Sequence, residues 1–145
     1  MSSIVNQLNQ LLSDYQIYYQ NLRGFHWNIK GRDFFELHVK FEELYTDTAV
    51  KIDEVAERIL TLGETPLHSF ADYTANAKIS PVKDTSDGEA SVKVIVENLG
   101  YLVSLQKDIR IEAEKTNDQA TADQLATYVE EQEKTLWMYN SWLGK

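Results

Sequence analysis

Between Gly31 and Gly63 the chain runs 31 residues without a glycine or proline, and between Gly100 and Gly144 it runs 43. Those two residues punctuate secondary structure more strongly than any others. With six Gly and two Pro in 145 residues, long unbroken elements are favoured over a turn-rich all-β fold. Within the first 29 residues Ile4, Leu8, Leu11, Tyr15, Tyr18, Leu22, Phe25 and Ile29 recur at steps of three and four. That spacing is one stripe of an amphipathic helix. After Lys30-Gly31-Arg32 a second stripe runs Phe34, Leu37, Phe41, Leu44, Thr48, Ile52, Val55, Ile59, Leu62. Asp33 with Glu36 three residues on fits an N-terminal capping pair, and residues 33–62 would make a rod of about 45 Å.

Residues 63–87 lose the period and hold both prolines, with Thr65-Pro66 placed to open a short helix over Leu67 to Tyr73. Val92, Ile95, Leu99, Leu102, Leu105 and Ile109 resume the stripe, which fades at Lys115-Thr116-Asn117-Asp118. A last helix is expected from Thr121, with Gln124 as its capping partner, carrying Leu125, Val129, Leu136, Tyr139 and Leu143. Gly100 inside the third helix costs up to about 1 kcal/mol relative to Ala, so a close helix contact is expected there. Loops that run short, long, short make neighbours antiparallel and let the middle connection return along the rod. The expected fold is all-α: a ferritin-like four-helix bundle with one long crossover, as a single domain over 1–145.

Composition narrows the function. The chain has no cysteine, which removes disulfide frameworks and thiolate metal sites. Its 23 acidic against 14 basic residues give a net charge of −9, the wrong sign for a nucleic-acid footprint. No apolar run reaches the roughly 18–20 residues of a membrane span. The N-terminus lacks the basic and apolar regions of a signal peptide, so a cytoplasmic protein is expected.

Chemistry-bearing residues lie one step off the core stripes. His26 follows Phe25, His38 and Glu42 follow Leu37 and Phe41, and Asp53 follows Ile52, with Glu57 four residues on. Asp47–Lys51 and Glu54–Arg58 read as ordinary exposed i,i+4 pairs. Asp53 and Glu57 instead face each other as like charges, with no Lys or Arg three or four residues away on either side. A cation from elsewhere belongs there, and imidazole with carboxylate suits a transition metal such as iron. His38 and Asp53 are about 22 Å apart along one helix and cannot share an ion within a chain. A two-fold axis crossing near Asp47 and Thr48 would bring His38 and Glu42 of one copy to Asp53 and Glu57 of another, with two equivalent sites per dimer. His26 could join across the Lys30-Gly31-Arg32 loop. Tyr15, Tyr18 and Tyr19 read as packing residues and His68 as a surface histidine. No Glu-x-x-His occurs, so a di-iron centre inside one bundle is not encoded.

The run Phe25-His26-Trp27-Asn28-Ile29-Lys30-Gly31, then Phe34-Phe35-Glu36-Leu37-His38, then Ile52-Asp53-Glu54-Val55-Ala56-Glu57-Arg58-Ile59-Leu60 resembles the Dps-type mini-ferritins. Leu136-Trp137-Met138 and Trp142-Leu143-Gly144 are also similar to this family, and the match spans essentially the whole chain. The resemblance implies hollow homododecamers that oxidise Fe(II), typically with hydrogen peroxide, at two-fold interfaces and store ferric mineral inside. Carried over by position, His26, His38 and Glu42 come from one subunit, and Asp53 and Glu57 from its partner. Trp27 looks like the family's aromatic electron donor. Asp118 and Asp123 resemble the acids of the iron-conducting pores; the plainer reading is of helix-start acids favoured by the macrodipole.

Three departures stand out. Glu42 occupies a position that is commonly Asp, and Val39 one that is often acidic, which leaves Glu43 as the nucleation candidate. The start Met1-Ser2-Ser3-Ile4 has no Lys or Arg, whereas DNA binding in this family usually relies on basic tails. Twelve such acidic chains would repel phosphate backbones. The alternatives are a nucleoid-coating protein without a significant ferroxidase role, and a metal-free helical interaction module.

Overall fold

The computed structural model describes residues 2–145; Met1, counted above in the domain and its uncharged start, lies outside the described residues. Among the described residues there are five helices and no strand: α1 (Ser3–Asn28), α2 (Phe34–Thr61), α3 (Phe70–Asn76), α4 (Gly88–Lys115) and α5 (Gln119–Trp142). The four long ones follow the four apolar stripes. Every α1 stripe residue is buried, as are Leu37, Phe41, Thr48, Val55 and Ile59 of α2. Two antiparallel hairpins, α1–α2 and α4–α5, pack through α1 against α4. Gly88, at the start of α4, sits against Leu37, Ile29 and Trp142, while Arg58 near the end of α2 reaches Asp118 before α5. The crossover therefore traverses the bundle from end to end, and α2 and α4 run parallel. No helix is long and apolar enough to cross a membrane.

Several local expectations are corrected. Asp33 stands at the N-cap of α2 but makes no side-chain cap bond. The crossover helix begins three residues later than expected, capped by Ser69, which accepts from the Asp72 N–H at 3.2 Å. Proline at 66 favours extended backbone before it, and Ser69 supplies the oxygen a helix start needs. Helix α5 starts at Gln119 because Asp118 caps it, accepting from the Thr121 N–H at 3.1 Å. Gln124 instead donates to the Tyr128 hydroxyl. Gly100 is exposed, with open space where a Cβ would stand. The close approach falls at Gly88, where a Cβ would lie 2.9 Å from Leu37 Cδ1.

Buried polar residues of α1 hold the crossover down. Asp14, fully buried, accepts from the Lys78 and Ile79 N–H groups at 2.7 and 2.9 Å. Its other oxygen accepts from Gln10 Nε2 and the Tyr101 hydroxyl. Asn9 accepts from the Leu67 N–H, and Asn21 pairs with Val82 N–H and Ser80 C=O. These side chains satisfy backbone groups that an irregular segment cannot satisfy by itself. Deeper in the bundle Tyr15, Gln106 and Gln132 close a ring of three hydrogen bonds across α1, α4 and α5. Burial pushes the Tyr15 hydroxyl well above its ordinary pKa, so it stays a donor.

The Asp47–Lys51 and Glu54–Arg58 pairs are not the exposed pairs the spacing suggested. Lys51 is 3% exposed, held at 2.7 Å by both Asp47 and Glu131, with the Tyr128 ring 5.2 Å away. Arg58 turns to Asp118 at 2.9 Å and to Thr121, and Glu54 accepts from the Tyr128 hydroxyl. Helix α5 packs over this face of α2 and takes up its charges.

Candidate metal centre

The loop between α1 and α2 turns at Gly31, whose φ of +109° is strained for any residue with a side chain. Its Lys30 N–H donates to Ser86 C=O at 2.9 Å. This turn brings His26, in the last turn of α1, against His38, in the second turn of α2. Their rings stack with centroids 3.8 Å apart at 11°. His26 Nδ1 lies 2.6 Å from the His38 carbonyl oxygen, and His38 Nδ1 lies 2.7 Å from the His26 carbonyl oxygen. A carbonyl can only accept, so each Nδ1 carries a proton, and in the neutral tautomer this leaves the lone pair at Nε2. This is the arrangement that orients metal-ligating histidines elsewhere. Phe34 stacks on His38 at 4.8 Å, and Tyr45 meets the His26 ring edge-on at 5.4 Å.

Glu42 lies one turn beyond His38. Its Oε1 is 3.5 Å from His26 Nε2, so a lone pair and a carboxylate oxygen face each other. A transition-metal ion bound at about 2.0–2.2 Å from each ligand spans such a gap. His26 is buried, whereas Glu42 is exposed. Asp53 and Glu57 stand further along α2, both exposed. A hydrogen bond with Asp53, and then its charge, raise the Glu57 carboxyl above its ordinary value. Among the described residues of one chain no three His, Asp or Glu side chains converge closely enough to hold an ion. The structure thus pairs His26 with His38 and His26 with Glu42, and separately Asp53 with Glu57.

The other site residues are placed as follows. Trp27 is 56% exposed, with the Arg23 guanidinium 4.9 Å from its ring. Burial works against charge on Asp118, but hydrogen bonds from Thr121 and the Arg58 guanidinium outweigh it and hold the carboxyl below its ordinary value. Asp123 is exposed and accepts from Gln119 at 2.7 Å. His68 is exposed, as expected. Sequence reasoning missed Tyr45; its only signal is position, seven residues after His38 and hence on the same face of α2.

The fold is that of a ferritin-like protein, and the ferritin-like domain model matches residues 5–145. A Dps protein from Vibrio cholerae O1, described as a member of a broad superfamily of ferritin-like diiron-carboxylate proteins, superposes with a TM-score of 0.96. It is 49% identical, over 97% of this chain and 88% of that one. The DNA protection during starvation protein of Porphyromonas gingivalis is 38% identical over 100% of this chain and 91% of its own. The second such protein of Bacillus anthracis is 36% identical over 98% and 97%. The chain belongs to the Dps-type mini-ferritins.

Proposed function

We propose that this chain is a cytoplasmic iron-storage and detoxification protein, a homododecamer that oxidises Fe(II) with hydrogen peroxide and keeps the ferric product inside. The observation that carries the reading is the reciprocal locking of His26 and His38 through their Nδ1 atoms, with His26 Nε2 at 3.5 Å from Glu42 Oε1. The partner subunit's Asp53 and Glu57 complete each site, giving two imidazoles and three carboxylates for iron. Exposed apolar side chains, with Phe35 of α2 at 83% and Phe70 of α3 at 82%, support burial of surface against a second copy.

In the reaction two Fe(II) each give one electron to peroxide, which takes up two protons and leaves as two waters. No hydroxyl radical is released when both electrons come from iron. The carboxylates favour the ferric state by their charge, and the acidic field of the cage collects Fe(II). Asp118 and Asp123 would line the pores, and Glu43 would seed mineral. Mixing the protein anaerobically with Fe(II) and peroxide should give ferric absorbance at a rate that Asp53→Ala reduces to background. Equal rates in both proteins would overturn the site.

The net charge of −9 argues against coating of DNA, whose phosphates bind through released counterions at basic surfaces. A gel-shift titration at low salt should show no retarded band; a shift that fades with added salt would favour the nucleoid-coating alternative.

A further inference from the structure

A lysine is almost never fully buried unless it is paired, and Lys51 is buried where α5 packs over α2. Its Nζ lies 2.7 Å from Asp47 and 2.7 Å from Glu131. The Tyr128 ring, 5.2 Å away, covers a further side. The two carboxylates come from different helices, and their side chains are 57% and 53% exposed. They stand on the wall of a groove of about 600 Å³ that Glu54, Glu57 and Arg58 also line. The other charges in it are engaged elsewhere. Arg58 holds Asp118 at 2.9 Å, Glu54 accepts from the Tyr128 hydroxyl at 2.8 Å, and Glu57 pairs with Asp53. The Lys51 ammonium thus stands where a metal ion would stand. Two carboxylates and water suffice to hold a hard divalent cation, and an open groove admits the water. The ammonium is a compact point charge with three donors. It neutralises both carboxylates at once, and its charge repels any second cation that approaches them.

We propose that Lys51 is a built-in counter-cation, which keeps iron out of the groove between α2 and α5 and so confines Fe(II) to the imidazole site. The role rests on the ferroxidase reading above. Asp47 lies about 7.5 Å along α2 and about 140° around it from Glu42. An ion held between Asp47 and Glu131 would therefore stand apart from His26 and His38. A single Fe(II) there would meet peroxide without a second reductant. It would give up one electron and become Fe(III), the O–O bond would break, and the products would be one hydroxide and one hydroxyl radical. Lysine brings the positive charge that the two carboxylates require and has no electron to give. The half-exposed carboxylates can be solvated when the ammonium is removed, so the position can be tested by substitution.

The probe is Mn(II), which takes oxygen ligands and is counted by the electron paramagnetic resonance of the free ion. Lys51→Gln should bind one Mn(II) per chain more than the unchanged protein. Adding Asp47→Asn should remove that ion, and anomalous diffraction should place it between Asp47 and Glu131. With Fe(II) and peroxide, Lys51→Gln should release several-fold more spin-trapped hydroxyl radical than the unchanged protein. Lys51→Met keeps the volume of the buried stem and offers no ligand of its own; it carries the same count if native mass shows that Lys51→Gln fails to assemble. An equal Mn(II) count in the unchanged protein and an assembled variant overturns the proposal and leaves Lys51 a structural pin. So does Mn(II) found between Asp47 and Glu131 in the unchanged protein, a result that needs no variant. Absence of ferric absorbance in the unchanged protein overturns the ferroxidase reading, and the confining role with it, whatever the Mn(II) count.

Discussion

Subunits carrying Glu42→Ala, co-expressed with subunits carrying Asp53→Ala, should recover about one quarter of the wild-type iron oxidation, although each variant alone stays at background. The number follows from two-fold geometry. Random pairing makes half of the two-fold contacts mixed. If Glu42 and Asp53 reach any one site from different chains, as proposed, a mixed contact holds one site with both defects and one site with none. If all ligands of a site came from one chain, every site would carry one defect and co-expression would restore nothing. Glu42 and Asp53 are both exposed in the single chain, so truncating them leaves the core untouched. Ferric absorbance per cage, with subunit composition read by mass, decides between the two arrangements.

The second large effect is on stability. Asp14→Ala should cost about 2–4 kcal/mol, because it strands donors that Asp14 alone satisfies. Four groups donate to that carboxylate. Gln10 Nε2 keeps the Asn76 carbonyl as a partner, and Lys78 lies at an exposed position where water can reach its N–H. The buried Ile79 N–H has no such recourse, and the half-buried Tyr101 hydroxyl loses its carboxylate acceptor. For a chain of this size the loss corresponds to a fall in Tm of about 5–15 °C. Amide exchange should localise the loosening to residues 76–82 before the bundle opens. A variant with unchanged urea midpoint and unchanged exchange at Ile79 would remove Asp14 as the anchor of the crossover.

What the sequence made legible, and what it did not, divides along physical lines. The four stripes were readable because burial on a helix imposes a local period, and His26, His38, Glu42, Asp53 and Glu57 stood out by breaking it. Lys51 was misread because an Asp–Lys pair four residues apart looks the same in water and under another helix. Its burial is made by Tyr128 and Glu131, some 80 residues away. Asp14, Asn9 and Asn21 carried no signal for the same reason: their partners are backbone groups of the distant crossover, and backbone has no side-chain signature. Gly100 was overread, since helical glycine implies a close contact only when something packs there, and nothing does. The imidazole stack depends on the short turn between α1 and α2, whose residues hint at tightness but not at ring orientation. Tyr45 was hidden in plain periodicity, one more half-buried aromatic until its neighbour proved to be a ligand candidate.

The exchange of Nδ1 hydrogen bonds between His26 and His38 has one last consequence. Each ring is tied to the other's backbone, so the orientation of the two imidazoles is set by folding and would ask nothing of an ion bound there. A storage protein must let its cargo go after oxidation. Imidazoles braced by the chain itself could be vacated at little conformational cost and would be ready at once for the next ion, which is what separates a port of passage from a place of rest.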